Sequence, residues 1–328
     1  MEYTKLGNSG LDVSKLSLGC MGFGDGGERY PWTINEEKSR KVIKKALDLG
    51  INFIDTANVY SYGVSEEITG RALKDFGKRQ EIVLATKLFR NMRDERNAGG
   101  LSRKAIFQEA ENSLKRLETD YIDLMIIHRF DYNTPTHETM EALHDLKKSG
   151  KVLHLGASAM FAWQFQKMQY VAEANHWTKF ISMQNHYNLL YREDEREMIP
   201  LCNDIGVGLT PYSPLASGRL TRDPGTSSAR ADVDHIQKKK YAHAEELDRG
   251  IIERVAKLAD EKGVLRSQLA MAWLLHKEGV TSPIVGAMKE SHLEDAIGAF
   301  DVTLTEKEMN FLEELYVPHP IVGAMKNN

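Results

Sequence analysis

Cysteine is scarce in this 328-residue chain, which holds only Cys20 and Cys202. Two thiols so far apart build neither a disulfide scaffold nor a cysteine metal site, so both are read as small buried or loop residues. Long apolar runs are missing as well. No window approaches the ~18 uninterrupted apolar residues of a spanning helix, and Met1-Glu2-Tyr3-Thr4-Lys5 lacks the apolar region of a secretory signal. The expectation is a soluble, cytoplasmic protein without membrane contact. Neither sign of charge dominates. The 43 Lys plus Arg stand against 47 Asp plus Glu, a formal net charge of −4, which gives no electrostatic footprint for nucleic acid. A small molecule is the partner expected, with the oligomeric state open. Metal is not expected: His137-Glu138 begins like a zincin helix, but Glu141 stands where the second histidine belongs.

What is present is a globular composition, 41% hydrophobic and 27% charged, long enough for one large core or two ordinary ones. Short runs rich in Ile, Val, Leu and Phe recur at 16–19, 52–55, 82–87, 122–128, 152–157, 180–185, 207–211 and 283–286. Helical periodicity fills the intervals at 36–49, 65–74, 102–117, 136–149, 162–175, 195–204, 249–262, 267–275, 291–299 and 305–316, with Ser291 and Thr305 placed as N-caps. Strands alternating with helices give a parallel sheet with right-handed crossovers, and eight strands close into a (β/α)8 TIM barrel, an α/β fold spanning 1–328 as a single domain. Residues 3–6 and 11–14, joined through Gly7-Asn8-Ser9-Gly10, read as an N-terminal β-hairpin capping the barrel bottom, and 305–316 as an extra C-terminal helix. The stretch 216–247, with Gly218, Pro224-Gly225, Ser227-Ser228 and Lys238-Lys239-Lys240, reads as a functional lid or a disordered loop. Its lysine run has a plainer reading as a solvated helix face. The heptapeptide Pro-Ile-Val-Gly-Ala-Met-Lys occurs at 283–289 and again at 320–326; seven residues are too few for a structural repeat, and function is assigned to the first copy only.

A TIM barrel gathers its reactive groups where the strands end. Asp55 ends the second strand, Tyr60 follows in its loop, Lys87 ends the third and His128 the fourth. Buried strands seldom close on charged residues without partners, because an isolated buried charge is costly. Together the four suit proton donation to a carbonyl oxygen while hydride arrives at its carbon: Tyr60 donates, Lys87 lowers the phenol's pKa, Asp55 keeps Lys87 charged, and His128 orients the substrate oxygen. A satisfied structural histidine and an Asp–Lys ion pair are the plain alternatives for His128 and for Asp55 with Lys87.

Several segments resemble the aldo-keto reductases: Ile51-Asn52-Phe53-Ile54-Asp55-Thr56-Ala57 with Tyr60, Ala85-Thr86-Lys87, Ile127-His128, Ser182-Met183-Gln184-Asn185-His186-Tyr187-Asn188-Leu189 and Pro211-Tyr212-Ser213-Pro214-Leu215-Ala216-Ser217-Gly218. The resemblance covers nearly the whole chain. Within the family it is nearest the bacterial oxidoreductases labelled 1-deoxyxylulose-5-phosphate synthase and the potassium-channel β-subunits. Trp163-Gln164-Phe165, Tyr132-Asn133-Thr134-Pro135 and Pro318-His319-Pro320 favour the former. It implies catalysis by Asp55, Tyr60, Lys87 and His128, and a nicotinamide cofactor across the barrel mouth, NADPH preferred and NAD allowed. Ser158 and Gln184 match carboxamide-binding positions, Tyr212 the stacking ring, and Ser213, Leu215 and Gly218 the pyrophosphate loop. Asp55 and the backbone of Gly19, Cys20 and Met21 match positions near the nicotinamide ribose. The adenosine site after the eighth strand falls on Gly286, Met288, Lys289, His292, Asp295 and Ala296. This part departs from the family pattern, as does Ala159, which replaces the asparagine that often follows the serine. Lys289, just before the helix thought to be capped by Ser291, is placed to meet a 2′-phosphate or is simply a solvated lysine.

Gly22-Phe23-Gly24-Asp25-Gly26-Gly27 formally contains G-x-G-x-x-G, but Glu28-Arg29-Tyr30-Pro31-Trp32 follows instead of an apolar helix, so it reads as a loop. Tyr30 and Trp32 there either wall the substrate pocket or pack locally. Arg129 either approaches an acidic or phosphorylated substrate, such as a sugar phosphate, or pairs at the surface. The function expected is reduction of an aldehyde or ketone. A Schiff-base lyase using Lys87 and a cofactor-loaded sensor or auxiliary subunit are the rivals.

Overall fold

A computed structural model describes residues 1–27, 30–226, 233–234, 240–241 and 244–321. Glu28-Arg29, Ser227-Ser228, Lys238-Lys239 and positions 322–326 of the second heptapeptide copy lie outside the described residues.

The eight strand segments expected from the sequence all form. They are β3 (Ser17–Gly19), β4 (Phe53–Asp55), β5 (Val83–Leu88), β6 (Ile122–Ile127), β7 (Val152–Ser158), β8 (Phe180–Gln184), β9 (Gly208–Leu209) and β10 (Ile284–Gly286), paired in parallel in the order β10-β3-β4-β5-β6-β7-β8-β9. The ring is completed between β9 and β10, where Leu209 bridges Val280 and Ile284 N–H donates to the Pro211 carbonyl at 2.8 Å. Strands β5 and β6 are buried at every position, which explains their near-continuous apolar sequence.

The hairpin of β1 (Tyr3–Lys5) and β2 (Asp12–Ser14) lies at the end from which the strands start. Ser14 N–H donates to Asn52 Oδ1 at 2.7 Å, and Asn8 N–H to the Gly206 carbonyl at 2.7 Å, both just ahead of a barrel strand. Leu6 and Val13 of this hairpin pack with Phe53, Val83, Ala85, Leu124 and Ile126, so it plugs the barrel floor with apolar side chains. The larger core lies between the strands and the helical ring. With the floor sealed, the opening at the strands' C-terminal ends is left for polar chemistry.

Among the described residues the helices with both ends defined are α1 (Glu36–Asp48), α2 (Val64–Phe76), α3 (Arg103–Leu117), α4 (Thr136–Lys148), α5 (Ala162–Ala174), α6 (Met198–Asp204), α7 (Glu245–Lys262), α8 (Arg266–Leu275), α9 (Glu290–Ile297) and α10 (Glu306–Glu313). Asn35, Ser102 and Thr305 cap α1, α3 and α10 with side-chain oxygens, and Thr305 forms a reciprocal box with Glu308. Three expectations are corrected. Ser291 caps nothing: α9 starts one residue earlier, with extended Lys289 at its N-cap and no side-chain cap. The helix expected over 195–204 is a 3-10 turn, Glu193–Glu195, followed by the short α6. Part of the 216–247 stretch is regular, because Ala216–Thr221 forms 3-10 turns and α7 already begins at Glu245.

Helix α2 crosses α3 at Gly70, where an added Cβ would lie 2.5 Å from the Leu117 carbonyl oxygen and 2.6 Å from its carbon. That obstacle is backbone and cannot rotate away. A helical Gly→Ala change ordinarily stabilises by about 1 kcal/mol. Gly70→Ala is instead expected to destabilise by about 1 to 3 kcal/mol through overpacking, read as a fall in the urea midpoint; an unchanged or raised midpoint would contradict the close crossing.

Candidate active site

Five strand ends and one loop assemble the site. Asp55 closes β4, Lys87 is the penultimate residue of β5, His128 follows the last residue of β6, and Ser158 and Gln184 end β7 and β8. Beyond β4 the chain goes on pairing with β5, with Thr56 N–H donating to the Ala85 carbonyl and Asn58 N–H to that of Lys87. This carries Tyr60 to the mouth above Lys87. Ser61, Tyr62 and Gly63 all have positive φ, at 45°, 52° and 99°. Ser61 Oγ donates to the Phe23 carbonyl at 3.2 Å and Ser65 Oγ to that of Cys20 at 2.8 Å, so the loop after β3 anchors this left-handed run. Gly24 packs so closely on Ser61 that a Cβ there would collide with its hydroxyl.

At the centre, Lys87 Nζ donates to Asp55 Oδ1 at 2.5 Å and to the Thr56 carbonyl at 2.8 Å. The two side chains are 0% and 3% exposed, so the pair is dry. Asp55 Oδ2 accepts from Gln184 Nε2 at 2.8 Å. Burial pulls the Lys87 pKa down, but the Asp55 carboxylate and the Tyr60 phenol more than reverse it, and the ammonium is held above its ordinary value. Lys87 Nζ is 5.1 Å from the centroid of the Tyr60 ring, and the Tyr60 and His128 rings meet edge to face at 6.0 Å. The structure thus brings all four expected groups together.

One electrostatic expectation fails. Lys87 does not take the phenol below its ordinary pKa: burial pushes Tyr60 up, and the lysine charge offsets only part of that rise. His128 is driven well below its ordinary value by burial and then by Arg129, Lys87, Arg90 and Lys240, which keeps the imidazole neutral at pH 7. Its Nδ1 is buried without a partner.

Ser158 and Gln184 are direct register partners across β7 and β8, and both are buried. Tyr212 lies flat against His186, with ring centroids 5.2 Å apart and planes within 5°, and Tyr191 stacks on the same imidazole at 4.2 Å. Tyr241 and His186 share a 2.8 Å hydrogen bond, and Lys240 Nζ sits 4.5 Å from the Tyr212 ring centroid. In the next loop Ser213, Ala216, Ser217 and Gly218 have positive φ, which folds Ser213, Leu215 and Gly218 into tight turns. Gly19 is required by packing, since a Cβ would meet Ile284 Cγ2 at 2.6 Å. Cys20 is buried, its thiol pushed up to about 12 by burial, and Met21 is partly exposed. Gly286 is exposed at the end of β10 with open space where a Cβ would stand. Lys289 and His292 are exposed and Asp295 half-buried, and the Met288 N–H is 3.5 Å from His292 Nδ1. Tyr30 and Trp32 pack locally, edge to face at 6.3 Å, with Tyr62 next to Tyr30 at 6.4 Å.

Sequence reading missed the Gln184–Asp55 bond and the Tyr191–His186–Tyr212 stack. The second had a signal in the aromatic spacing of 186–191. The first had none, because 129 residues separate its partners.

A barrel mouth bearing a buried lysine between a carboxylate and a phenol defines a class of barrel oxidoreductases, and residues 15–317 match the model of the aldo/keto reductase family. The chain belongs to that family. It is 45% identical to the versiconal hemiacetal acetate reductase of Aspergillus parasiticus, over 98% of each chain. It is also 44% identical to an aldo-keto reductase of Alternaria alternata and to one of Fusarium vanettenii, over 98% of this chain and 93% of each of theirs. These relatives support carbonyl reduction and do not bear on the finer placement beside bacterial enzymes or channel subunits. Among the described residues, no helix is long and apolar enough to cross a membrane.

The electrostatics set a pH dependence for carbonyl reduction. The protonated phenol persists below its raised pKa and is lost only as pH climbs past the ordinary ~10, while neutral His128 has no transition near ~6.5. The rate is therefore expected to be flat between about pH 6.5 and 9. An imidazole NMR signal absent from His128→Asn that titrates near pH ~6.5 in the unmodified protein would show that His128 is not neutral.

Proposed function

We propose that this protein reduces an aldehyde or ketone to the alcohol with NADPH, NAD being the weaker alternative, and that Tyr60 gives the proton. The observation that carries the reading is the dry Lys87 ammonium held by Asp55 beside the Tyr60 phenol. A reduced nicotinamide, when bound, would supply the hydride that the carbonyl carbon takes. Tyr60 releases its hydroxyl proton to the carbonyl oxygen, and Lys87 stabilises the phenolate left behind. The raised phenol pKa suits this role, since a donor must hold its proton until charge develops on the substrate oxygen. Neutral His128 orients that oxygen by hydrogen bonding and adds no competing charge.

The residues present fit a nicotinamide cofactor. Gln184 donates an amide N–H to Asp55, which fixes its orientation; its carbonyl oxygen, with Ser158 beside it, would accept from a carboxamide N–H. Tyr212, backed by His186, offers a stiff aromatic platform. Ser213, Leu215 and Gly218 would flank the pyrophosphate, and Asp55 with the backbone of Gly19, Cys20 and Met21 the ribose. Gly286, Lys289, His292 and Asp295 would line the adenosine. Lys289, exposed at the N-cap of α9, would be the cation for a 2′-phosphate. We read 1–328 as one catalytic domain.

The Schiff-base alternative is disfavoured by the same contacts. Lys87 is fully buried and donates to both Asp55 and the Thr56 carbonyl, which keeps it protonated and non-nucleophilic.

Tyr60→Phe deletes the proton donor without emptying the site. It is expected to lower kcat for an aromatic aldehyde about 10²- to 10⁴-fold, with NADPH affinity by fluorescence titration unchanged. Near-normal turnover would remove Tyr60 from the mechanism, and lack of NADPH binding by the unmodified protein would remove the cofactor.

A further inference from the structure

Arg129 is the unaccounted charge at the barrel mouth. Four other arginines are paired: Arg79 with Asp123, Arg93 with Glu109, Arg103 with Asp145 and Arg116 with Glu66. Arg129 pairs with no carboxylate among the described residues; its Nη1 donates to the His128 carbonyl at 2.8 Å, and its Nε is buried without a partner. Two acids of the mouth and of the Arg129 loop are already engaged. Asp131 accepts from the N–H groups of Leu101 and Asn133 and from Thr134 Oγ1, and Asp55 is held by Lys87 and Gln184.

The guanidinium is central rather than peripheral. Its charge acts on Tyr60, His128, His186 and Tyr212, which come from four different strand ends and loops around the opening. Arg90 and Lys240 add positive potential at His128. The loop that carries Arg129 is fixed by the Asp131 bonds and by Phe130 packed edge-on against Tyr132 at 5.1 Å. A fixed, partly buried cation with spare donors is a ready partner for a carboxylate or phosphate, whose oxygens match the guanidinium fork.

We propose that the substrate is a carbonyl compound bearing an anionic group, and that Arg129 binds this group beside Tyr60 and His128. The inference rests on the reductase reading for the identity of the reacting carbonyl. An anion paired with Arg129 supplies the missing counter-charge and places the carbonyl end towards the phenol.

The test compares two pairs of probes that differ only in the anion: 4-carboxybenzaldehyde against benzaldehyde, and glyceraldehyde 3-phosphate against glyceraldehyde. The unmodified protein is expected to prefer the charged member of at least one pair, and which pair tells carboxylate from phosphate. Arg129→Met should lower kcat/KM for that charged member about 10- to 100-fold, mainly through KM. The neutral member should change less than about threefold and KM for NADPH should not move. Arg129→Lys, which keeps the charge without the fork, should recover part of the loss. An unchanged charged-to-neutral ratio in Arg129→Met overturns the proposal, as does a loss confined to KM for NADPH, which would give Arg129 to the cofactor. Calorimetric titration of both charged probes separates the two readings. Arg129-dependent binding without any carbonyl turnover would sink the reductase and keep the anion site. Tyr60-dependent reduction of neutral aldehydes with no Arg129 effect would do the reverse.

Discussion

The Lys87–Asp55 ion pair is the constraint around which this molecule is arranged. An ammonium and a carboxylate taken wholly out of water are costly unless every remaining donor and acceptor is met. Here the ammonium also meets the Thr56 carbonyl, and the second carboxylate oxygen takes the Gln184 amide. Three strands, β4, β5 and β8, are tied through one carboxylate. Their side chains then have fixed places before any ligand arrives, which is what electrostatic preorganisation requires.

Around this centre burial does two jobs with opposite signs. It holds the Tyr60 phenol protonated against the pull of Lys87, and it holds the His128 imidazole neutral with the help of surrounding cations. A donor that keeps its proton and a neutral orienting group are both suited to a carbonyl oxygen that gains negative charge only during reaction. The aromatic stack under Tyr212 serves a mechanical end: His186, held by Tyr191 and Tyr241, backs one face of that ring.

Much of this was legible in the chain itself. The alternation of apolar runs with helical periodicity gave the barrel, because each buried parallel strand must be apolar on both faces. Asp55, Lys87 and His128 stood out because charge rarely ends such a strand. What stayed hidden depends on distance in space. The sign of the Tyr60 shift turns on how deeply the phenol is buried against how near the ammonium lies. For Arg129 the choice between surface pairing and a substrate contact turns on which carboxylates fold within its reach, which the chain order does not tell. Ser291 looked like a cap because serine favours that role, yet Lys289 takes the extended conformation two residues earlier, at (−143°, 151°).

The tight seat of Ser61 on Gly24 limits how the family's scaffold can be retuned here. A side chain at position 24 would press on Ser61 in the turn that presents the phenol, so this one position of the first loop has little room for bulk, whereas Gly26 beside it faces open space. Variation in what the enzyme accepts must then be written into rims that leave this hinge-point untouched, such as the segment carrying Arg129.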